Sequence, residues 1–461
     1  PDNIQQNPNL EIATRTSPTN IGMALLSDLA AYDFGYCSAS QLLNRTRKTF
    51  KTLDRMERHR GHFFNWYDTR TLQPLHPRYV SLVDSGNLAA DLLVLSSGFR
   101  ELSEANLMPE RMFAGLRDTL RVLLDVILNF DGKSIDADFR RRIERQIEVL
   151  NRAPDSLQAA NVLLAQMTVE AAELITLADS NPELMWWVLA YERSCQEHRA
   201  DLLHLAVWLT LPKSPDVWED VHSDHQSTEL KQLAVALKQL DNATGLRDVA
   251  KLQTTLLPLI QEAKQVANSE TCDWLVQLGA STGIAAERAS ARIRAFEELA
   301  LQCRELADMD FGLLYDSSRD LFAIGYNVSE RRLDPGYYDL LASEARLASY
   351  IVIAQGQFGQ EHWFALGRLL TSAGSLPALL SWSGSMFEYL MPLLVMPNYE
   401  NTLLDRTYHA AVRRQIEYGR QYRVPWGISE SGYNTIDQHR TYQYRAFGVP
   451  GLGLKRGLAE D

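Results

Sequence analysis

An all-α architecture is what this 461-residue sequence predicts, and three observations predict it. Apolar residues recur at helical spacing along most of the chain, the breaks between such stretches are short, and segments with strand-like alternation are few. Many helices of similar length joined by short turns favour antiparallel pairs. Such pairs can close into a toroid whose loops at one end form a cleft.

Each element has its own signal. Thr16-Ser-Pro-Thr-Asn20 is a capping sequence ahead of the apolar stripe Ile21, Leu25, Leu29. Asp84-Ser-Gly86 opens a second helix, with Asp84 as a plausible cap. From about 100 to 305 amphipathic helices follow one another, broken at Asp131-Gly132, Pro154-Asp-Ser156, Asn181-Pro182 and Leu211-Pro-Lys-Ser-Pro215. The strand candidates Arg78–Val83 and Phe322–Tyr326 read as loop hairpins rather than a sheet, and a further helix is expected to start near Tyr337, after Pro335. One catalytic domain over residues 1–461 is the preferred organisation. Residues 105–300 either complete it or form an added helical lobe.

Composition narrows the function. A hydrophobic fraction of 46% and a charged fraction of 23% are ordinary for a globular protein. The net charge of −12 and the absence of a basic patch argue against nucleic acid as a partner. The densest basic run, Arg140–Arg145, has acids beside it and reads as a solvated face. Four scattered cysteines (Cys37, Cys195, Cys272, Cys303) lack metal spacing and read as buried free thiols. His222 and His225 in an acidic loop have no further support as metal ligands. No metal or cofactor is expected. No apolar run approaches the roughly 20 residues of a membrane span, and the start at Pro1 rather than Met reads as a piece of a longer protein.

The chemistry concentrates near the C-terminus. Pro425-Trp-Gly-Ile-Ser-Glu-Ser-Gly-Tyr-Asn434 sets Glu430 between two serines in a Pro/Gly-bounded loop, with Trp426, Tyr433, Tyr442 and Tyr444 around it. Rings that stack on sugar faces, hydroxyls and a lone acid suit a carbohydrate; the alternative is a well-packed turn. On a helix, Glu344 would share a face with Tyr337, Leu340, Leu341, Ala348 and Ile351, placing a carboxylate in an apolar stripe. Arg346 lies off that stripe. Glu344 is therefore either a structural ion pair or a cleft group. Glycosidic bond cleavage uses two carboxylates, and Glu344 with Glu430 is the preferred pair. Asp84 and Glu388 are competing acids that could line the cleft, and Gly61-His-Phe-Phe-Asn-Trp-Tyr-Asp68 could supply a subsite through Trp66.

Several motifs together resemble the glycoamylase-like cyclisation domain of bacterial cyclic β-1,2-glucan synthases. They are Arg15-Thr-Ser-Pro-Thr-Asn-Ile-Gly22, Val80-Ser-Leu-Val-Asp-Ser-Gly-Asn-Leu-Ala89, Tyr337-Tyr-Asp-Leu-Leu-Ala-Ser-Glu-Ala-Arg346 and Ser381-Trp-Ser-Gly-Ser-Met-Phe-Glu-Tyr-Leu-Met-Pro392. Pro425–Ser431 and the closing Tyr442–Leu458 belong with them, so the likeness covers residues 10–100 and 305–461. The resemblance implies an (α/α)6 barrel and a retaining transglycosylase that closes linear β-1,2-glucan into a ring. It implies Glu344 as nucleophile, Glu430 as general acid/base, and subsite residues Trp66, Trp382, Trp426, Tyr433 and Tyr442. It further implies a parent enzyme at the cytoplasmic side of the bacterial inner membrane, with glycosyltransferase and phosphorylase-like regions, of which this piece would itself be soluble. An endo-β-1,2-glucanase and a non-catalytic glucan-binding module remain the alternatives.

Overall fold

The computed structural model describes residues 2–6, 9–128, 137–178, 182–212, 227–242, 244–427, 429–436, 442–446 and 448–454, with backbone alone for 431–436 and 442–446. His222 and His225 lie outside the described residues. The described chain is mostly helical, and its strands are short and form no closed sheet. It divides into two compact units. One holds residues 1–26, 50–96 and 302–461; the other holds 27–49 and 97–301.

The second unit is built from helices whose apolar residues fall on one face. Met112–Leu128 packs on Ala137–Leu150 and on Pro182–Leu205, which also packs on Leu157–Leu177. In Leu157–Leu177 the buried positions Leu157, Ala160, Leu164, Met167, Ala171 and Leu174 repeat at three and four residues. Ser156 caps that helix by accepting a hydrogen bond from the Ala159 amide at 3.1 Å. By length and composition Leu157–Leu177 could cross a membrane, contrary to the expectation that no such run exists. Its buried face nonetheless belongs to the core formed with Val188, Tyr191 and Cys195. The basic run is solvated and paired, with Arg141 and Arg142 on Asp138 and Arg140 on Glu144. Cys37, Cys195 and Cys303 are buried free thiols, and Cys272 is half-buried.

The first unit mixes helices with small sheets. Ser17 caps helix Pro18–Asp33 through the Asn20 amide at 3.1 Å, as the sequence suggests. Helix Leu82–Glu104 begins two residues earlier than expected. Ser81 is its cap, accepting from the Asp84 amide at 3.3 Å, and this leaves the Asp84 carboxyl free for another partner. The two strand candidates are partners rather than separate hairpins: Gly325–Asn327 runs antiparallel to Tyr79–Ser81, with Arg332–Leu333 on its other edge. Gly325 permits this pairing because a Cβ there would lie 2.4 Å from the Tyr79 ring. Residues 337–344 form no helix; the helix starts at Ala345 and ends at Ala354. The Asp339 carboxylate accepts from the Leu341 amide at 2.8 Å and holds that stretch in a turn. Glu430 opens a strand, Glu430–Ile436, paired with Tyr442–Ala446, where a loop was expected.

The helices Leu82–Glu104 and Ala345–Ala354 cross at Gly86. A Cβ on that glycine would sit 2.4 Å from the Ala348 Cβ and 2.6 Å from its Cα. Gly86→Ala is therefore expected to destabilise the chain by about 1–3 kcal/mol, measured by urea denaturation. An unchanged midpoint would mean the crossing has slack.

Candidate active site

Glu344 occupies the N-cap position of helix Ala345–Ala354 and is only 3% exposed. Ser343 before it has φ +50°, a left-handed conformation unfavourable for a side-chain-bearing residue. The Ser343 hydroxyl donates to one Glu344 oxygen at 3.3 Å, and the other oxygen, buried, has no hydrogen-bond partner among the described residues. Burial raises the Glu344 pKa to about 8, with the negative charges of Asp84 and Glu430 adding to the effect. Burial at this position thus favours the protonated form of Glu344.

Asp84 reaches this site through the Gly86 crossing. Its carboxylate accepts from the Thr19 hydroxyl at 2.7 Å, and that hydroxyl accepts in turn from the Asn87 amide at 3.1 Å. Burial raises the Asp84 pKa despite these bonds. Two turns along the same helix, Asp91 is fully buried with neither oxygen partnered among the described residues, and burial lifts its pKa to about 7. Tyr338 sits among the acids: burial first, then the charges of Glu344 and Asp84, hold its hydroxyl protonated. Its ring meets Trp382 edge-on at 6.0 Å, and Trp382 is 41% exposed. A half-covered indole beside a buried acid gives the site an apolar face open to solvent.

Glu388 is a fastening rather than a free acid. It is 2% exposed, and its carboxylate accepts from the amides of Ser343 (3.0 Å), Ser383 (3.0 Å) and Gly384 (3.0 Å) and from the Ser381 hydroxyl (2.5 Å). One side chain thereby ties the strained Ser343 to the 381–384 turn that carries Trp382. Arg346, completely buried, donates to the carbonyls of Glu388 at 2.6 Å and Tyr389 at 2.7 Å. It forms no ion pair with Glu344, in keeping with its place off the expected stripe.

The structure therefore brings together Glu344, Asp84, Glu430 and, behind them, Glu388 and Trp382. Trp426 is 55% exposed, and Trp66 lies under the Arg15 guanidinium at 4.6 Å; no contact joins either to the acids among the described residues. The side chains of Tyr433 and Tyr442 lie outside the described residues, although their backbones are on the paired strands that Glu430 opens. Sequence reasoning missed Tyr338, Thr19 and Ser343. Tyr338 was legible as the second ring of Tyr337-Tyr338; Thr19 and Ser343 carried no signal beyond being polar. Among the described residues no cluster of His, Cys, Asp and Glu could hold a metal.

No family model matches the chain. Over 465 aligned residues, covering the whole chain, it is 36% identical to the cyclic beta-(1,2)-glucan synthase NdvB of Rhizobium meliloti (strain 1021). The chain spans 14% of that protein's length. The similarity read from the motifs thus extends through the middle helices, which contributed little to it.

Glu344→Gln is expected to stabilise the protein, because the amide mimics the protonated acid. The unfolded carboxyl releases its proton near 4.5 and the folded one near 8, so wild-type stability falls more steeply with rising pH between these values than the variant's, in which Asp84 and Asp91 still contribute a fall. The gain should grow across that window to the order of a few kcal/mol, read from unfolding midpoints; a pH-independent gain would contradict the burial. Glu388→Gln, which turns an NH2 group toward N–H donors, should cost on the order of 2 kcal/mol.

Proposed function

We propose that this chain is a retaining transglycosylase that closes linear β-1,2-glucan into rings, using Glu344 as general acid/base and Glu430 as nucleophile. The observation that carries the reading is the carboxyl cluster in which Glu344 lies buried within electrostatic reach of Asp84 and Glu430. A buried acid that favours its proton, set beside a second acid, is what a retaining glycosidase mechanism uses. The likeness to a cyclic beta-(1,2)-glucan synthase supports β-1,2-glucan as the substrate class, and the (α/α)6 arrangement implied by the motifs is part of the same proposal. This distribution of roles reverses the one expected from the sequence, because burial and two neighbouring charges favour Glu344 as the proton donor.

In the first step Glu430 attacks the anomeric carbon while Glu344 gives its proton to the departing glycosidic oxygen. Ester formation neutralises Glu430, which removes one of the charges that held the proton on Glu344. The Glu344 carboxylate then accepts the proton of the chain's own non-reducing-end hydroxyl as that oxygen displaces Glu430. The anomeric configuration is retained, and no water is consumed. Trp382 with Tyr338 offers the stacking surface beside the acids, and Trp66, Trp426, Tyr433 and Tyr442 are further subsite candidates. Asp84 keeps the acid protonated and is placed to meet a sugar hydroxyl. Glu388 positions Glu344 without touching the sugar. In the cell the chain would act within a longer membrane-bound synthase, on the cytoplasmic side, taking linear glucan made by its glycosyltransferase region and trimmed by its phosphorylase-like region.

Incubation with linear β-1,2-glucan should yield products one water lighter than the linear chains and resistant to an exo-acting β-glucosidase, as read by mass spectrometry. Shorter linear products alone would make the chain a glucanase, and unchanged glucan would make it a binding module. Glu344→Gln and Glu430→Gln should each lower turnover by about 10²–10⁴-fold. Wild-type activity should fall as pH rises through about 8, where Glu344 loses its proton.

Azide separates the roles, using a β-1,2-gluco-oligosaccharide with a good aryl leaving group. Glu344→Ala should give the β-glycosyl azide and Glu430→Gly the α-anomer. The opposite pattern would restore Glu344 as nucleophile.

A further inference from the structure

Two clefts in the 302–461 segment meet at Asn398 and Tyr408, which line both; one holds about 620 Å³ and the other about 290 Å³. These sizes suit a ligand, and no lining residue belongs to the carboxyl cluster. The smaller cleft is walled by Tyr350, Trp363, Phe364 and Tyr399. Phe364 is 70% exposed and Tyr399 63% exposed, so large rings stand in water along one groove. The larger cleft is lined by two acids and two guanidinium groups, Asp405, Glu417, Arg413 and Arg420, with Arg413 2.8 Å from Glu417 and the Asn398 amide donating to Asp405 at 2.7 Å. This balance of charge selects neither an anion nor a cation. Exposed rings with amides such as Gln360 and Asn398 suit an uncharged, hydroxyl-rich chain.

The groove also shares its framework with the site. The Arg346 guanidinium lies 5.6 Å from the centre of the Tyr408 ring, and the same guanidinium holds the Glu388 and Tyr389 carbonyls. We propose that this groove binds the middle of the linear β-1,2-glucan chain whose ends are joined at the carboxyl cluster. The proposal rests on the cyclisation reading above. Bringing together the ends of a long flexible chain costs loop-closure entropy that grows with its length. Holding the middle on the protein absorbs part of that cost on binding and raises the effective concentration of the acceptor end.

The test uses the 461-residue chain and its Phe364→Ala/Tyr399→Ala double variant, with linear β-1,2-glucans of graded length. Loss of two stacking rings should raise KM for long chains about five- to ten-fold. It should leave turnover of the shortest cyclised chains unchanged and shift the products toward smaller rings. Tyr399→Phe, which keeps the ring, should behave as wild type. If the double variant does not fold, Phe364→Ser, at the more exposed position, carries the same comparison. Equal long-chain KM and identical ring distributions in wild type and variant would overturn the groove while leaving the cyclisation reading intact. A wild-type chain inert toward linear glucan would overturn both.

Discussion

Glu344 is buried at a helix N-cap, with one oxygen unpartnered among the described residues and the acids Asp84 and Glu430 close enough to raise its proton affinity. The surrounding structure holds it there against its preference for water. The Gly86–Ala348 crossing brings the helix that carries Asp84 against the helix that Glu344 caps. The Glu388 carboxylate fixes the amide of Ser343, whose left-handed backbone aims the next residue inward. Arg346 locks the carbonyls behind Glu388. Each contact is local, and together they keep a carboxylic acid protonated where an exposed glutamate would ionise.

That arrangement costs stability, and in the proposed mechanism it supplies the proton donor. Strain at Ser343 and unpaired buried oxygens on Glu344 and Asp91 are features that selection for folding alone would remove. The strained Ser343 and the buried Glu344 lie near a half-exposed Trp382, and that juxtaposition is the physical ground for proposing an active site there. For a ring-closing reaction the same site must accept a sugar hydroxyl in preference to water, so chain positioning carries much of the selectivity.

Much of this was legible in the sequence, although not always for the right reason. Glu344 and Glu430 stood out as acids in apolar and aromatic surroundings, and the structure places them within electrostatic reach of each other. The helical stripe that singled out Glu344 does not exist, because the turn held by Asp339 delays the helix to Ala345. Periodicity cannot distinguish an apolar turn leading into a helix from the helix itself. Asp84 looked like a cap because Ser81 three residues earlier escaped notice. The close packing at Gly86 was not read from the sequence, because its partner Ala348 lies over 260 positions away. Which acid carries the proton was illegible, since burial and neighbouring charge are properties of the folded chain.

The most direct test of this account is the protonation state of Glu344 itself. Infrared difference spectra between wild type and Glu344→Gln, recorded across a pH series, isolate its carboxyl stretch. The account predicts a protonated carboxyl that persists through neutral pH and titrates near 8. A Glu344 already ionised at pH 6 would contradict it, and with it the assignment of Glu344 as the proton donor.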